Sequence, residues 1–255
     1  MASLSLKYIA LLPFAVLYCI ISAKNSGNSI VKTIAYIKTD YDEKFGIPRQ
    51  SGLVQNTEGR IVFLPEYRRA EAVRGLEGYS HIWLIWEFSE SKLDDWRPTV
   101  RPPRLGGNRR MGVFATRSPF RPNPIGLSSV RLLRIETDLP ESPVLVVSGA
   151  DLLNGTPIYD IKPYLPYVDC HPDAVGGFAD KAPEAALRVV ENDCALRDFP
   201  EDKREALYSI LQQDPRPSYQ NDPERLYGFG FAGYEIKFRV AGDLITVISA
   251  EKREG

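Results

Sequence analysis

Histidine and cysteine are scarce in this 255-residue chain, and the scarcity removes whole classes of chemistry. His81 and His171 are the only histidines, so a multi-histidine metal centre is excluded and a Ser/His/Asp triad would have to use one of these two. The three cysteines, Cys19, Cys170 and Cys194, are odd in number and widely spaced, which suits neither a disulfide framework nor a zinc site. No metal is expected. The Gly106-Gly107 pair sits among prolines and arginines, and no G-x-G-x-x-G follows a strand-like run, so the dinucleotide-type fingerprint is missing. Internal repeats are absent. The longest apolar run, Tyr8 to Ile21, contains Pro13 and falls short of the ~20 residues that span a bilayer.

One further absence points to function. Between Arg97 and Ile135 there is no carboxylate, while nine arginines fall in the same stretch. Net charge is −1, and removing those nine positive charges leaves −10 on the rest of the chain. Positive potential is therefore confined to one region of an acidic body, which suits a localised anionic ligand, RNA above all, better than nonspecific coating of nucleic acid. Glycines at 106, 107 and 112 and prolines beside Arg101, Arg104 and Arg121 place these arginines on stiff loops suited to recognition. Arginine meets phosphate or carboxylate through two donors and also stacks on exposed bases.

Hydrophobic residues make up 44% and charged residues 25%, close to the average of soluble globular proteins. The length suits one large domain, or a medium domain with an appendage. Tyr8 to Ile21 reads as a secretory h-region, with Lys7 as a minimal basic flank and Ala23 as a cleavage end, although Ile21 is large for the −3 position. The other reading is an extension outside the working protein. Lys24 to Ser29 reads as a linker, so residues 1–29 are set apart and the fold begins near Ile30.

From there strands dominate. Val31 to Tyr36, Arg60 to Leu64, His81 to Phe88, Met111 to Ala115, Ser128 to Arg134 and Pro143 to Ser148 are apolar or β-branched runs, with one or two helical turns at Ala70 to Leu76. Six prolines between Pro98 and Pro124 make most of that stretch loop. The regular helices of a doubly wound fold are missing, so the fold class is mainly β: a compact barrel or closed sheet over residues 30–168. Residues 169–255 read as a smaller α+β appendage, with a helix at Pro200 to Gln213 and strands at Tyr234 to Val240 and Leu244 to Ile248.

Gly112 to Asn123 reads G-V-F-A-T-R-S-P-F-R-P-N, which closely resembles the signature of the TsaA-like, TrmO-type family of tRNA methyltransferases. Similar words occur at Ile47-Pro48-Arg49-Gln50, Ala72 to Glu77, Ser80 to Trp83, Arg97 to Gly107, Asn123-Pro124-Ile125-Gly126, Asp160 to Tyr164 and Asp214-Pro215-Arg216-Pro217. The resemblance covers about residues 31 to 248 in order. It implies a β-barrel that binds S-adenosylmethionine without a Rossmann fold, a carboxy-terminal appendage and a homodimer. It also implies N6-methylation of threonylcarbamoyladenosine beside the anticodon of threonine tRNA, hence a cytoplasmic protein with export as the minority alternative.

By position in the family, the cofactor contacts are Pro48, Arg49, Gln50, Ser89, Glu90, Arg117, Leu127, Asn154, Gly155, Thr156, Pro157 and Asp160. Ser89-Glu90 departs from the His-Gln of better-known bacterial members, which favours backbone contacts there. Asn154 to Pro157 also reads as an ordinary turn, since Asn-Gly favours one. Arg101, Arg104, Arg109, Arg110 and Arg121 are the candidates for holding tRNA, and Arg216 either reaches it or caps the preceding helix. Asp160 is the candidate proton acceptor, with an arginine stabilising charge on the carbamoyl oxygen. His81 reads as a core histidine rather than a catalyst, and Tyr159 and Tyr164 as packing residues able to stack on a base. The alternative function is a noncatalytic RNA- or nucleotide-binding module on the same barrel.

Overall fold

Alternation of apolar residues builds the barrel. In the computed structural model, which describes residues 31–91, 96–180, 187–216, 220 and 222–253, strand β3 (His81–Glu87) turns Ile82, Leu84 and Trp86 inward and leaves the residues between them half-exposed. The apolar run Tyr8 to Ile21, the stretch 24–29 and Pro217 lie outside the described residues. Strands β1 (Ala35–Lys38) and β2 (Glu58–Phe63) bury Ala35, Ile37, Ile61 and Phe63. β6 (Ile125–Glu136) is the longest strand at 12 residues, and β7 (Val144–Ser148) is buried on both faces, as its unbroken apolar run suggests. With β8 (Thr156–Pro163) the six close in the order β1-β2-β7-β6-β3-β8, so the closed sheet inferred from successive strand runs without intervening helices is present. Every pair in it is antiparallel.

The arginine-rich stretch is mostly irregular, as its prolines require. It is pinned by a two-stranded sheet of β4 (Thr99–Val100) and β5 (Met111–Gly112). The strand expected over Met111 to Ala115 stops at Gly112, because Val113–Ala115 winds into a 3-10 turn that buries Val113.

A second sheet follows short helix α1 (Pro166–Asp169). Strands β9 (Arg188–Glu191), β10 (Tyr227–Phe231), β11 (Tyr234–Ala241) and β12 (Leu244–Lys252) lie in the order β10-β11-β12-β9, with β9 parallel to β12. Helix α2 (Glu201–Gln212) buries Ala206, Leu207, Ile210 and Leu211 in the same core, the face its spacing predicts. β9 and β10 escaped sequence reading because the first has four residues and the second, YGFGF, carries two glycines that weaken strand character.

The chain between β1 and β2 leaves the barrel and packs into this second core. Tyr41 and Val54 belong to the cluster of Phe229, Phe231 and Phe238, and Tyr41 bridges to Phe231. Lys203 pairs with Asp40 at 2.6 Å, while the Gly230 amide and the Arg253 guanidinium both donate to Glu43. Gly46 holds φ +94°, and a Cβ there would lie 2.4 Å from the Phe229 ring. Gly46→Ala is therefore expected to destabilise by roughly 1–3 kcal/mol, seen as a lower urea midpoint, because the alanine is both strained at positive φ and overpacked.

Candidate active site

That displaced segment forms one wall of a cleft of about 700 Å³ at the side of the barrel, within the usual size for small-molecule sites. Lys44 to Ser51 supply the first wall, and the end of β3 with the turn Ser89–Ser91 the second. The stretch Thr116 to Leu127 supplies the third, and Asp151, Leu153 and Thr156 line the base. Lys44 ties the first two walls together by donating to the Glu90 carbonyl, and the Gly52 amide donates to Gly149 at 2.9 Å, setting Ser51 beside Asp151. Arg117 donates to the Gln50 side-chain oxygen across the mouth. Arg49 donates to the carbonyls of Asp214 and Arg216 at 3.3 and 3.4 Å, so the second core reaches the same rim.

Ile125 and Leu127 stay exposed on this surface at 40% and 57%, an apolar lining open to a ligand. Beneath them Trp86 lies flat on Gly126, where a Cβ would come 2.2 Å from the indole. The Trp86 indole N–H donates to Ser128 Oγ at 3.0 Å, and the Ser128 hydroxyl donates to Asp151 Oδ1 at 2.6 Å. Burial pushes the Asp151 carboxyl above the usual carboxylate range; the hydrogen bonds from Ser128 and from the backbone amides of Asp151 and Ser51, and the nearby Arg117 charge, pull it partly back. At the other edge the Tyr159 hydroxyl, pushed up to about 12 by burial and by the Glu87 carboxylate it donates to, fixes Glu87 at the rim.

Of the residues singled out by sequence, Pro48, Arg49, Gln50, Ser89, Glu90, Arg117, Leu127, Thr156 and Arg121 all come together in this cleft. Asn154, Gly155, Pro157 and Asp160 are not among its lining residues. The amides of Asn154 and Gly155 donate to the carbonyls of Tyr41 and Ile37, and the Asn154 side-chain oxygen accepts from the Thr39 amide, which makes this an ordinary turn into β8. Pro157 pairs with Tyr36 in the barrel wall. The Asp160 carboxylate is half-exposed, 3.1 Å from the Lys162 ammonium, and accepts from the Ile161 amide. It is the residue that sequence reading offered as the proton acceptor, and it does not line this cleft.

The arginines divide by environment. Arg101, Arg104, Arg109 and Arg110 are exposed on the loops around β4 and β5, with Arg110 anchored to Thr99 at 2.8 Å. Arg121 is held by the carbonyls of Val113 and Thr116, and Arg134 is spent on Glu58 and Glu136 of the barrel wall. Arg216 is bound to Asp214 at 2.8 Å with its side chain 10% exposed, so its guanidinium locks its own turn. His81 accepts or donates to Ser80 and packs on Tyr164, which also contacts Trp83. The residues that sequence reading missed are Trp86, Glu87, Ser128 and Asp151. Asp151 had a visible signal, a lone carboxylate just after the apolar run of β7.

Among the described residues no group of three His, Cys, Asp or Glu is arranged to hold a metal ion, and no helix is long and apolar enough to cross a membrane.

Comparison with known proteins places two families on the chain: the tRNA-methyltransferase O N-terminal domain over residues 36–170 and the TrmO C-terminal domain over residues 184–253. A protein of Escherichia coli named tRNA (adenine(37)-N6)-methyltransferase is 42% identical over 229 residues, spanning 86% of this chain and 97% of the relative. A Pseudomonas aeruginosa relative, assigned by name to the S-adenosylmethionine-dependent methyltransferases, is 46% identical over 227 residues, spanning 86% of this chain and 96% of its own. The crystal structure of TrmO from P. aeruginosa superposes with a TM-score of 0.72 at 35% identity, over 88% of this chain and 96% of that one.

Proposed function

The chain belongs to the tRNA-methyltransferase O family, and on that premise we propose that it is an S-adenosylmethionine-dependent tRNA (adenine(37)-N6)-methyltransferase whose substrate is threonylcarbamoyladenosine in threonine tRNA. The observation that carries this reading is a cleft in which an apolar floor, paired cationic and amide groups and a half-buried carboxylate meet beside a stretch of arginines that contains no carboxylate of its own.

The lining fits the cofactor. Trp86, Ile125 and Leu127 offer apolar surface for an adenine, the carboxylates of Glu87 and Glu90 suit an ammonium and a sulfonium, and Arg49 and Arg117 suit a carboxylate. When bound, S-adenosylmethionine supplies an electrophilic methyl group on sulfur. The protein's part is then to hold the N6 nitrogen in line at contact distance and to take its proton. Asp151 is the acceptor placed for this, with Ser128 orienting it. An arginine of the cleft, Arg121 beside Arg117, offers its charge to the carbamoyl oxygen as negative charge develops there. Arg101, Arg104, Arg109 and Arg110 hold the phosphates of the anticodon loop, while Arg216 acts indirectly by fixing the turn that Arg49 grips. Asn154, Gly155 and Pro157 contribute by positioning Thr156. A homodimer and a cytoplasmic site of action, where tRNA and cofactor both reside, complete the reading.

Mass spectrometry of threonine tRNA tests it: cells lacking the gene should lose the N6-methylated nucleoside and retain its unmethylated precursor, and unchanged levels would sink the reading. A noncatalytic module on the same barrel would bind cofactor yet never release S-adenosylhomocysteine with modified tRNA.

A further inference from the structure

Beside the cleft, two aromatic rings are held in solvent. Phe114 is 70% exposed and Trp96 is 48% exposed, yet they stack on each other with centroids 6.1 Å apart and planes 27° from parallel. Exposed rings on a mobile loop would need no explanation, but this turn is braced. Val113 is fully buried and donates its amide to the Pro98 carbonyl at 2.9 Å, tying the Phe114 turn to the chain that carries Trp96. Arg121 donates to the carbonyls of Val113 and Thr116 at 3.3 and 2.7 Å, and Thr116 Oγ1 donates to Val113 at 2.8 Å. The turn that carries Phe114 is thus tied into the fold at several points.

We propose that Trp96 and Phe114 form a stacking platform for an unpaired nucleobase of the RNA substrate, a neighbour of the base whose nitrogen enters the cleft. Three observations choose this occupant. Arg97, Arg101, Arg104, Arg109 and Arg110 lie between Trp96 and Phe114 in sequence, and although Asp94 and Asp95 precede Trp96 no carboxylate follows until Glu136, the setting for a phosphate backbone and a poor one for an apolar protein face. Flat rings with arginines between them are how single-stranded RNA is gripped, since every base offers a π-face. Arg121 lines the cleft and places its guanidinium carbon 5.8 Å from the Phe114 centroid, so the platform lies one side chain from the site of chemistry.

The platform rests on the methyltransferase reading, so the test separates the two. Methyl transfer and binding are measured with an anticodon stem-loop RNA carrying the modified adenosine, for the wild-type protein, Phe114→Ala, Phe114→Trp and Trp96→Phe. Phe114→Ala should raise KM and the RNA dissociation constant roughly 5- to 100-fold, the range found for one stacked base. Its kcat should fall far less, cofactor binding should stay intact, and the dependence of affinity on salt should keep its slope. Phe114→Trp should restore wild-type values. Tryptophan fluorescence should be quenched on adding RNA, and the quench should be smaller in Trp96→Phe, which keeps Trp83 and Trp86 of the cleft. A wild-type KM for folded Phe114→Ala overturns the platform while leaving the enzyme reading intact, and a wild-type protein that transfers no methyl group overturns the enzyme reading itself. Loss of affinity that tracks a change in sedimentation, and disappears at high protein concentration, would show that the rings meet a second copy of the chain and not RNA.

Discussion

Asp151→Asn is expected to lower kcat by about 10²- to 10⁴-fold, the usual worth of a positioned proton acceptor, while cofactor affinity changes little. The expectation comes from where this carboxylate sits: at the base of the cleft, oriented by Ser128, with its ionised form penalised by burial. A raised carboxyl pKa gives the wild-type rate an acid limb, rising with pH as Asp151 ionises and then levelling. In Asp151→Asn that limb should be gone. Stability follows the opposite sign. Because the folded state keeps the Asp151 proton to higher pH than the unfolded chain does, its contribution to stability is present at low pH and is lost as pH rises from the ordinary carboxylate range through the raised folded value. Above that folded value the ionised group is a cost to the fold, and there Asp151→Asn should unfold at or above the wild-type midpoint. A variant of reduced activity with a lower midpoint and an unchanged pH profile would mark Asp151 as a structural residue only.

The second large effect concerns charge. Replacing Arg101, Arg104, Arg109 and Arg110 together by alanine is expected to weaken tRNA binding on the order of 100-fold near 0.15 M salt. It should also flatten the plot of log affinity against log salt by about 2.8, near 0.7 for each phosphate of single-stranded RNA that is no longer neutralised. All four side chains are exposed and surround short strands β4 and β5 rather than core, so the fold should tolerate the change. Filter binding across a salt series reads both numbers. A slope equal to that of the wild-type protein would remove these arginines from the RNA surface. Phe114→Ala makes the contrast, because removing a stacked ring weakens binding without altering the slope.

The displaced segment between β1 and β2 explains why the second core accompanies the barrel. Just before Pro48, Arg49 and Gln50, Tyr41 and Gly46 meet Phe231 and Phe229 of that core, and Glu43 pairs with Arg253 beyond its last strand. Sequence placed these residues in the first half of the chain and had no means of pairing them with the second. Pairings that span nearly two hundred residues leave no local trace, whereas periodicity does.

Local pattern determined a good deal by itself. Alternation in β3, the apolar run of β7 and the spacing on α2 follow from periods of two and 3.6, and the absent helices between strands made a closed sheet the natural result. The same text located the arginine stretch and, through its family words, Pro48 to Gln50, Ser89-Glu90, Arg117 and Leu127 on the cleft. Only the tertiary structure decided which charges are available. Arg134 and Arg216 look like Arg101 in sequence but are consumed by Glu58, Glu136 and Asp214. Sequence singled out Asp160 and passed over Asp151, whereas in the fold Asp160 pairs with Lys162 and Asp151 lines the cleft with the Ser128 hydroxyl donating to it. A side chain's charge is written in the sequence, but the partner that neutralises it and the burial that shifts it arise when distant segments pack.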